Sequence, residues 1–228
     1  MTNQPWYWQR LTLFDNCEAA ARQALLAIAE QQVLHAKQMV FRADDPPERV
    51  YLVEQGLIKV FSLTPQGEMV TLWFCGAQEP FGAGGIAGVG PQSVFAQAVG
   101  HCVIWSMKRS DFEQVLKAYP ELALNTIRLV SGRMRLATDA LVESISCNPE
   151  QRLARMLLRL ACQCATQKPE GLAFELRLTH QELAQMVGSS RQTVNRVLNR
   201  YAAEGVLSVV QRRLVIHQPE TLARRASA

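Results

Sequence analysis

The chain has 228 residues, 48% of them hydrophobic and 19% charged, with a formal net charge of +4. That is enough apolar material to bury a real core in one large or two small domains, and it excludes a disordered chain. No apolar run approaches the roughly 18 residues of a membrane span, and the start Met1-Thr2-Asn3-Gln4-Pro5-Trp6 lacks a basic segment followed by an apolar one, so no membrane partner is expected and the expected location is the cytoplasm.

Charge is divided unevenly along the chain. Residues 1–146 hold 12 Lys or Arg against 14 Asp or Glu, a net of −2, whereas residues 147–228 hold 12 against 6, a net of +6. A basic C-terminal part is what a domain that meets a polyanion requires, because neutralising phosphates releases counterions. The six cysteines are expected as reduced thiols, and mostly as buried packing. Cys17, Cys75, Cys102 and Cys147 are scattered, and Cys162-Gln163-Cys164 is spaced more tightly than structural zinc ligands, so no metal site is assigned.

A short helix is predicted around Glu18 to Glu30. From Val33 to Met107 the chain is rich in β-branched and aromatic residues punctuated by Gly and Pro, which predicts a run of short strands closing into a barrel or sandwich. The clearest hairpin joins residues 57–63 to residues 68–74 across Thr64-Pro65-Gln66-Gly67. After Asp111 the apolar period lengthens, and Glu121 to Ser144 is predicted as one long helix. Its stripe of Ala123, Ile127, Val130, Met134, Ala137 and Leu141 alternates spacings of four and three, the seam of a two-stranded coiled coil, so a homodimer is expected. Packing of the same helix on its own barrel is the alternative. Residues 144–148 break the pattern as a hinge, and Asn148 with Pro149 and Glu150 starts a further helix whose core stripe is Leu153, Met156, Leu157, Leu160 and Cys164.

Thr179-His180-Gln181-Glu182 has the form of a capping box, so a helix begins there, buries Leu183, Ala184 and Val187, and ends at Gly188. Ser189 or Ser190 caps the next helix, Arg191 to Ala203, which stops near Gly205. Val194, Val197, Leu198 and Tyr201 lie on one side of it. Gln192, Arg196 and Asn199 lie on the other, flanked by Arg191 and Asn195, which is the chemistry that pairs with guanine and adenine edges in a major groove. Residues 207–210 and 214–217 form a hairpin with Gln211-Arg212-Arg213 at its tip, a wing. The expected contacts to double-stranded DNA are therefore Thr179, Ser189, Ser190, Arg191, Gln192, Thr193, Asn195, Arg196, Asn199 and Arg212.

The stretch from Leu178 to Leu198 resembles the helix-turn-helix of the cyclic AMP receptor protein and FNR family, and the resemblance extends more loosely over nearly the whole chain. It implies an α+β protein of three parts: a cyclic-nucleotide-binding-like β-barrel (jelly roll) sensor over residues 1–120, a dimerisation helix and hinge over 121–146, and a winged helix-turn-helix over 147–228. It also places the base-reading positions on Arg191, Gln192 and Arg196. Gln192 stands where the cyclic AMP receptor usually has glutamate, which implies a related but altered DNA preference. RNA polymerase is a candidate partner.

The same resemblance marks Gly82, Ala83, Gln92 and Ser93 as the effector pocket. Phe81-Gly82-Ala83 stands where the cyclic nucleotide cassette has Phe-Gly-Glu, and Gln92-Ser93 where it has Arg-Ser. Both charged contacts are missing, so cyclic AMP is not expected as effector. Gly82, Gly84, Gly85, Gly88 and Gly90 leave backbone binding of another anion open. An FNR-type iron-sulfur cluster is not expected either, because that type groups cysteines near the N-terminus and only Cys17 lies there. Haem or thiol sensing through Cys75, Cys102, His35 and His101 stays open as an alternative, as does an apolar pocket lined by Trp6, Trp8, Trp73, Phe74, Phe81 and Phe95. A ligand-receptor adaptor that uses the wing for protein contacts is the rival from another class. No paired catalytic carboxylates, activated nucleophile or P-loop points to an enzyme.

Overall fold

Strand-forming residues between Glu30 and Lys108 build two four-stranded antiparallel sheets in a computed structural model that describes residues 11–83, 90–174, 178–210 and 213–227. One sheet runs in the order β1 (Glu30–Leu34), β8 (Cys102–Lys108), β3 (Arg49–Gln55), β6 (Pro80–Phe81), and the other β2 (Met39–Phe41), β7 (Phe95–Ala98), β4 (Ile58–Leu63), β5 (Met69–Cys75). The expected hairpin is β4–β5, with Leu63 opposite Met69 and a bulge at Val60/Phe61. Its loop closes by the Gly67 N–H donating to Thr64 O at 2.8 Å and the Glu68 N–H donating to Thr64 Oγ1 at 3.1 Å.

Strand β3 shows why this unit holds together. Tyr51 and Val53 face inward to a core with Phe41, Ile58, Phe81 and Ile104. Val50 and Leu52 face the other way, onto α1 (Ala19–Ala27), α2 (Arg109–Ala118) and the start of α3 (Pro120–Ser146), through Leu25, Phe112 and Leu122. Burying each such side chain contributes about 1.5–3 kcal/mol.

The predicted long helix is α3, 27 residues with Pro120 at its start, where a missing N–H costs nothing. Leu122, Asn125 and Leu129, at spacings of three and four, are its buried face, and the Asn125 amide donates to Leu13 O at 3.0 Å and Asp15 O at 2.7 Å. The expected seam lies elsewhere on the helix: Ile127 is 60% exposed, Val130 53%, Met134 73% and Leu141 63%. The face that α3 packs on its own sheets is therefore not the seam. The helix runs past Ser144, where the sequence suggests a break. Ser144 Oγ donates to Leu141 O and Ser146 Oγ to Val142 O, so these serines bond back to their own helix and it continues to Ser146.

The described residues divide into two units inside this helix, 11–135 and 136–227. The second contains α4 (Pro149–Cys164), β9 (Ala165–Lys168), β10 (Gly171–Phe174), α5 (His180–Val187), α6 (Arg191–Ala203), β11 (Leu207–Val210), β12 (Arg213–Ile216) and α7 (Pro219–Ser227), with one sheet in the order β11-β12-β10-β9. Helix α4 opens on the expected cap: the Gln151 N–H donates to Asn148 Oδ1 at 3.0 Å, and Gln151 Oε1 accepts from the Asn148 N–H at 2.7 Å. Leu153, Met156, Leu157 and Leu160 are buried. Cys164, expected in that stripe, is half-buried at the helix end and its thiol donates to Leu160 O. No helix among the described residues is long and apolar enough to cross a membrane.

Candidate nucleic-acid interface and effector cassette

Two helices and a tight turn arise where local chemistry demands them. At the start of α5 the Glu182 N–H donates to Thr179 Oγ1 at 3.2 Å and the Thr179 N–H to Glu182 Oε2 at 2.8 Å, the reciprocal box. Gly188 ends the helix at φ 57°, ψ 50°, a left-handed conformation that a side chain would disfavour. Ser190, rather than Ser189, caps α6, its Oγ accepting from the Thr193 N–H at 3.1 Å. Thr179, Ser190 and Thr193 thus spend part of their hydrogen-bonding capacity on the fold.

Val194, Val197, Leu198 and Tyr201 are the buried side of α6. On its outer side Arg191, Gln192, Asn195, Arg196 and Asn199 are all exposed. Among the described residues none of the five takes part in a side-chain hydrogen bond or ion pair. The neighbouring Arg200 differs: Glu150 holds it, and the hydrogen bond to that carboxylate pushes the guanidinium's pKa up. Ser189 is half-buried and Ser190 exposed. The result is one helix face with two cations and three amides uncommitted, at the end of a helix whose N-terminal amides are also positive.

Beside it, β11 and β12 pair antiparallel with Val210 opposite Arg213. Arg213 is exposed, while Gln211 and Arg212 of the expected tip lie outside the described residues. His217, expected in the second strand, falls just past its end. Its Nδ1–H donates to Glu170 O at 2.6 Å, and its Nε2 shares a hydrogen bond with Ser208 Oγ at 2.8 Å. That ring ties the wing to the β9–β10 hairpin, which extends the wing into a four-stranded sheet. Neither that hairpin nor α7 was expected from the sequence.

Of the expected effector residues, Gly82 and Gln92 are brought together. Gln92 is 6% exposed, and its Nε2–H donates to Gly82 O at 3.2 Å. Its main chain is held as well, the Asp44 N–H donating to Gln92 O and the Gln92 N–H to Asp45 O. The amide in the expected cation's place is therefore directed at the cassette's own backbone. Gly82 has φ +76°, and a Cβ there would lie 2.8 Å from the Tyr51 ring. Ala83 is half-buried and Ser93 exposed. Gly84, Gly85 and Gly88 lie outside the described residues, as do Trp6 and Trp8.

The remaining sensing candidates stand apart. Cys75 and Cys102 are buried in the barrel core, whereas His35 and His101 are exposed. Burial pushes the Cys75 thiol up to about 11, with the nearby Arg133 opposing; Arg133 Nη2 donates to Cys75 Sγ at 3.4 Å and to Pro80 O at 2.6 Å. A thiol so placed stays protonated at neutral pH and is a poor nucleophile. Phe74 and Phe81 are buried, Phe81 stacking on Tyr51 and Phe41 with centroids 5.2 and 6.2 Å apart, while Trp73 and Phe95 are half-buried and Phe95 stacks on Phe61 at 5.1 Å.

Comparison with known proteins matches the two halves separately. Residues 31–119 match the cyclic nucleotide-binding domain and residues 151–225 the Crp-like helix-turn-helix domain. The chain is 30% identical over 217 residues to the CRP-like cAMP-activated global transcriptional regulator of Mycobacterium tuberculosis, covering 95% of this chain and 97% of that one. It is 26% identical over 199 residues to the fumarate and nitrate reduction regulatory protein of Escherichia coli, covering 87% and 79%. Among solved structures, FixK2 from Bradyrhizobium japonicum shares the fold with a TM-score of 0.77 at 21% identity, covering 88% of this chain and 98% of that one.

Proposed function

The chain belongs to the CRP/FNR family of DNA-binding transcription regulators, and from that premise we propose that it binds a palindromic operator as a homodimer, without control by cyclic AMP and without an FNR-type iron-sulfur cluster. The observation that carries the reading is the outer face of α6. Its exposed Arg, Gln and Asn side chains, uncommitted among the described residues, are free to exchange water for the acceptors and donors that the major groove offers. Arg191, Gln192, Asn195, Arg196 and Asn199 read base edges. Thr179, Ser189, Ser190 and Thr193 hold phosphate together with the α6 N-terminus, and Arg212 does so from the wing.

Dimerisation follows from the seam. Ile127, Val130, Met134, Ala137 and Leu141 form an exposed apolar line at coiled-coil spacing, and a second copy of α3 is the surface that matches it in length and period. In this reading residues 1–120 are the sensor, 121–146 the dimer helix and hinge, and 147–228 the DNA-binding domain. RNA polymerase is the partner through which occupancy of the operator changes transcription.

Independence from cyclic AMP rests on the cassette. The Mycobacterium tuberculosis relative is named for activation by cyclic AMP, but here Ala83 has no group for a ribose hydroxyl and neutral Gln92 bonds to Gly82 O. A cyclic phosphate entering that site finds an amide where it needs a fixed cation, and a hydrogen bond must break to admit it. Selection of bound duplexes from a random pool at fixed salt, with and without cyclic AMP, tests the proposal. Recovery of the same two-fold-symmetric sequence in both arms is the expected result; recovery only with cyclic AMP, or of no preferred sequence, overturns it.

A further inference from the structure

Three arginines of α4 recur along one side of the helix, and they are compensated differently. Arg155 and Arg159 pair with the buried carboxylate of Glu143. Arg152 pairs with no carboxylate among the described residues and instead donates to three backbone carbonyls: Nε–H to Val187 O at 2.8 Å, Nη2–H to Gly188 O at 3.2 Å and Nη1–H to Cys147 O at 2.7 Å. Val187 and Gly188 end α5, at the turn before the recognition helix. Cys147 follows the last residue of α3 and lies in the hinge.

Arg152 is thus a cation shared by the C-terminal ends of two helices. Each helix end carries carbonyls without intrahelical partners and the negative end of the helix dipole, so one guanidinium satisfies both. Its geometry is directional. A guanidinium is planar and rigid, with donors on fixed axes, so contact with three carbonyls on two segments fixes the distance and angle between those segments. Two residues after Gly188, Ser190 caps α6, so whatever holds Gly188 also holds the start of the recognition helix.

We infer that Arg152 is a positioning residue for DNA recognition, setting the placement of the recognition helix relative to the end of the long helix and hence the half-site spacing the protein accepts. The inference rests on the dimeric reading above. Lysine is the discriminating replacement: it keeps the charge and the aliphatic stem but offers a single compact ammonium that cannot span both helix ends.

The test uses the full chain and the operator recovered by selection, in its natural spacing and with one base pair inserted between half-sites. The insertion rotates one half-site by about 35° and moves it about 3.4 Å. Wild type is expected to lose on the order of tenfold or more in affinity on the stretched site, and Arg152→Lys to bind the natural site about tenfold more weakly while its penalty for stretching shrinks at least about threefold. A residue that only stabilises the fold lowers the melting temperature and leaves the ratio of the two affinities unchanged; that result in a folded Arg152→Lys overturns the assignment. Arg152→Gln serves if the lysine variant no longer unfolds cooperatively, and loss of cooperative folding in both makes Arg152 a scaffold residue and also overturns it. Wild type that shows no spacing preference contradicts the dimeric reading itself and removes the ground for the inference.

Discussion

In the proposed reading Gln92 is the side chain that sets the barrel against cyclic AMP, because its amide, bonded to Gly82 O, stands where a cyclic phosphate needs a cation. A ligand that binds the folded state at 100 times its Kd stabilises it by about 2.7 kcal/mol, which a melting curve resolves easily. Cyclic AMP at about 1 mM is therefore expected to shift the melting temperature by less than about 1 °C; a shift of several degrees would contradict the cassette account. Arg196 is the proposed base contact in the DNA-binding domain. Arg196→Ala is expected to cost about 1–3 kcal/mol on the selected operator and to relax preference at one base pair per half-site, with weaker change on random duplex. Titration of both duplexes checks this, and an equal loss on both would make Arg196 a phosphate contact.

Cys75 carries a pH signature. Its thiol loses its proton near 9.0 when unfolded but is held protonated to about 11 when folded, so the native state binds more protons across that window. Stability contributed by its burial is complete below about pH 9 and declines as pH rises toward 11. Urea unfolding of wild type and Cys75→Ala at pH 8 and 10.5 checks the sign: the wild-type value is expected to fall further than that of the variant. The same burial shows where this residue sits, which the sequence left open. A cysteine in a strand reads alike whether it faces a core or a ligand, and only the fold shows Cys75 among Ile58, Val60 and Phe81 while His35 and His101 stay at the surface.

At the scale of elements, legibility follows how local the cause is. Helices α5 and α6 begin and end where the sequence predicts because Thr179, Glu182, Gly188 and Ser190 act within one turn of themselves. Ser190→Ala removes the acceptor for the Thr193 N–H and is expected to cost about 1 kcal/mol of stability, read by chemical denaturation, with Ser190→Asp restoring most of it. No loss in the alanine variant would mean that solvent replaces the cap. The β9–β10 hairpin was illegible for the opposite reason. Ala165–Lys168 is exposed along most of its length, lacks alternation, and becomes a strand only because Phe174 opposite Ala165 and Leu172 opposite Ile216 carry the sheet toward it. Helix α7 offers only Leu222 and Ala226 as buried residues over nine positions, too few to show a period. Serines 144 and 146 signalled a break, but their hydroxyls bond to the preceding turn and the helix runs on.

For the whole molecule, two faces of α3 differ in burial. Leu122 and Leu129 share a core with Val50, Leu52 and Met107 of the sheet, Asn125 holds Leu13 O and Asp15 O, and Ile127, Val130, Met134 and Leu141 are left exposed. The sequence showed the seam's period but not which of its two possible partners it meets, since a period is the same against a neighbouring sheet or a second helix. In the proposed dimer, two recognition helices would address half-sites about 34 Å apart on one side of the duplex. An effector, if one binds, acts by preferring one placement of those helices over another.

The most direct test is sedimentation equilibrium of the purified chain on a fluorescent duplex bearing the selected operator, with and without cyclic AMP, beside a Val130→Glu variant. Two protomers per duplex are expected at the same affinity in both arms. For Val130→Glu, whose charge must be buried in the seam, dimer association is expected to weaken by at least about tenfold, with one protomer bound at most. One wild-type protomer per duplex, a complex that forms only with cyclic AMP, or a Val130→Glu variant that still binds as a pair would contradict the proposed function.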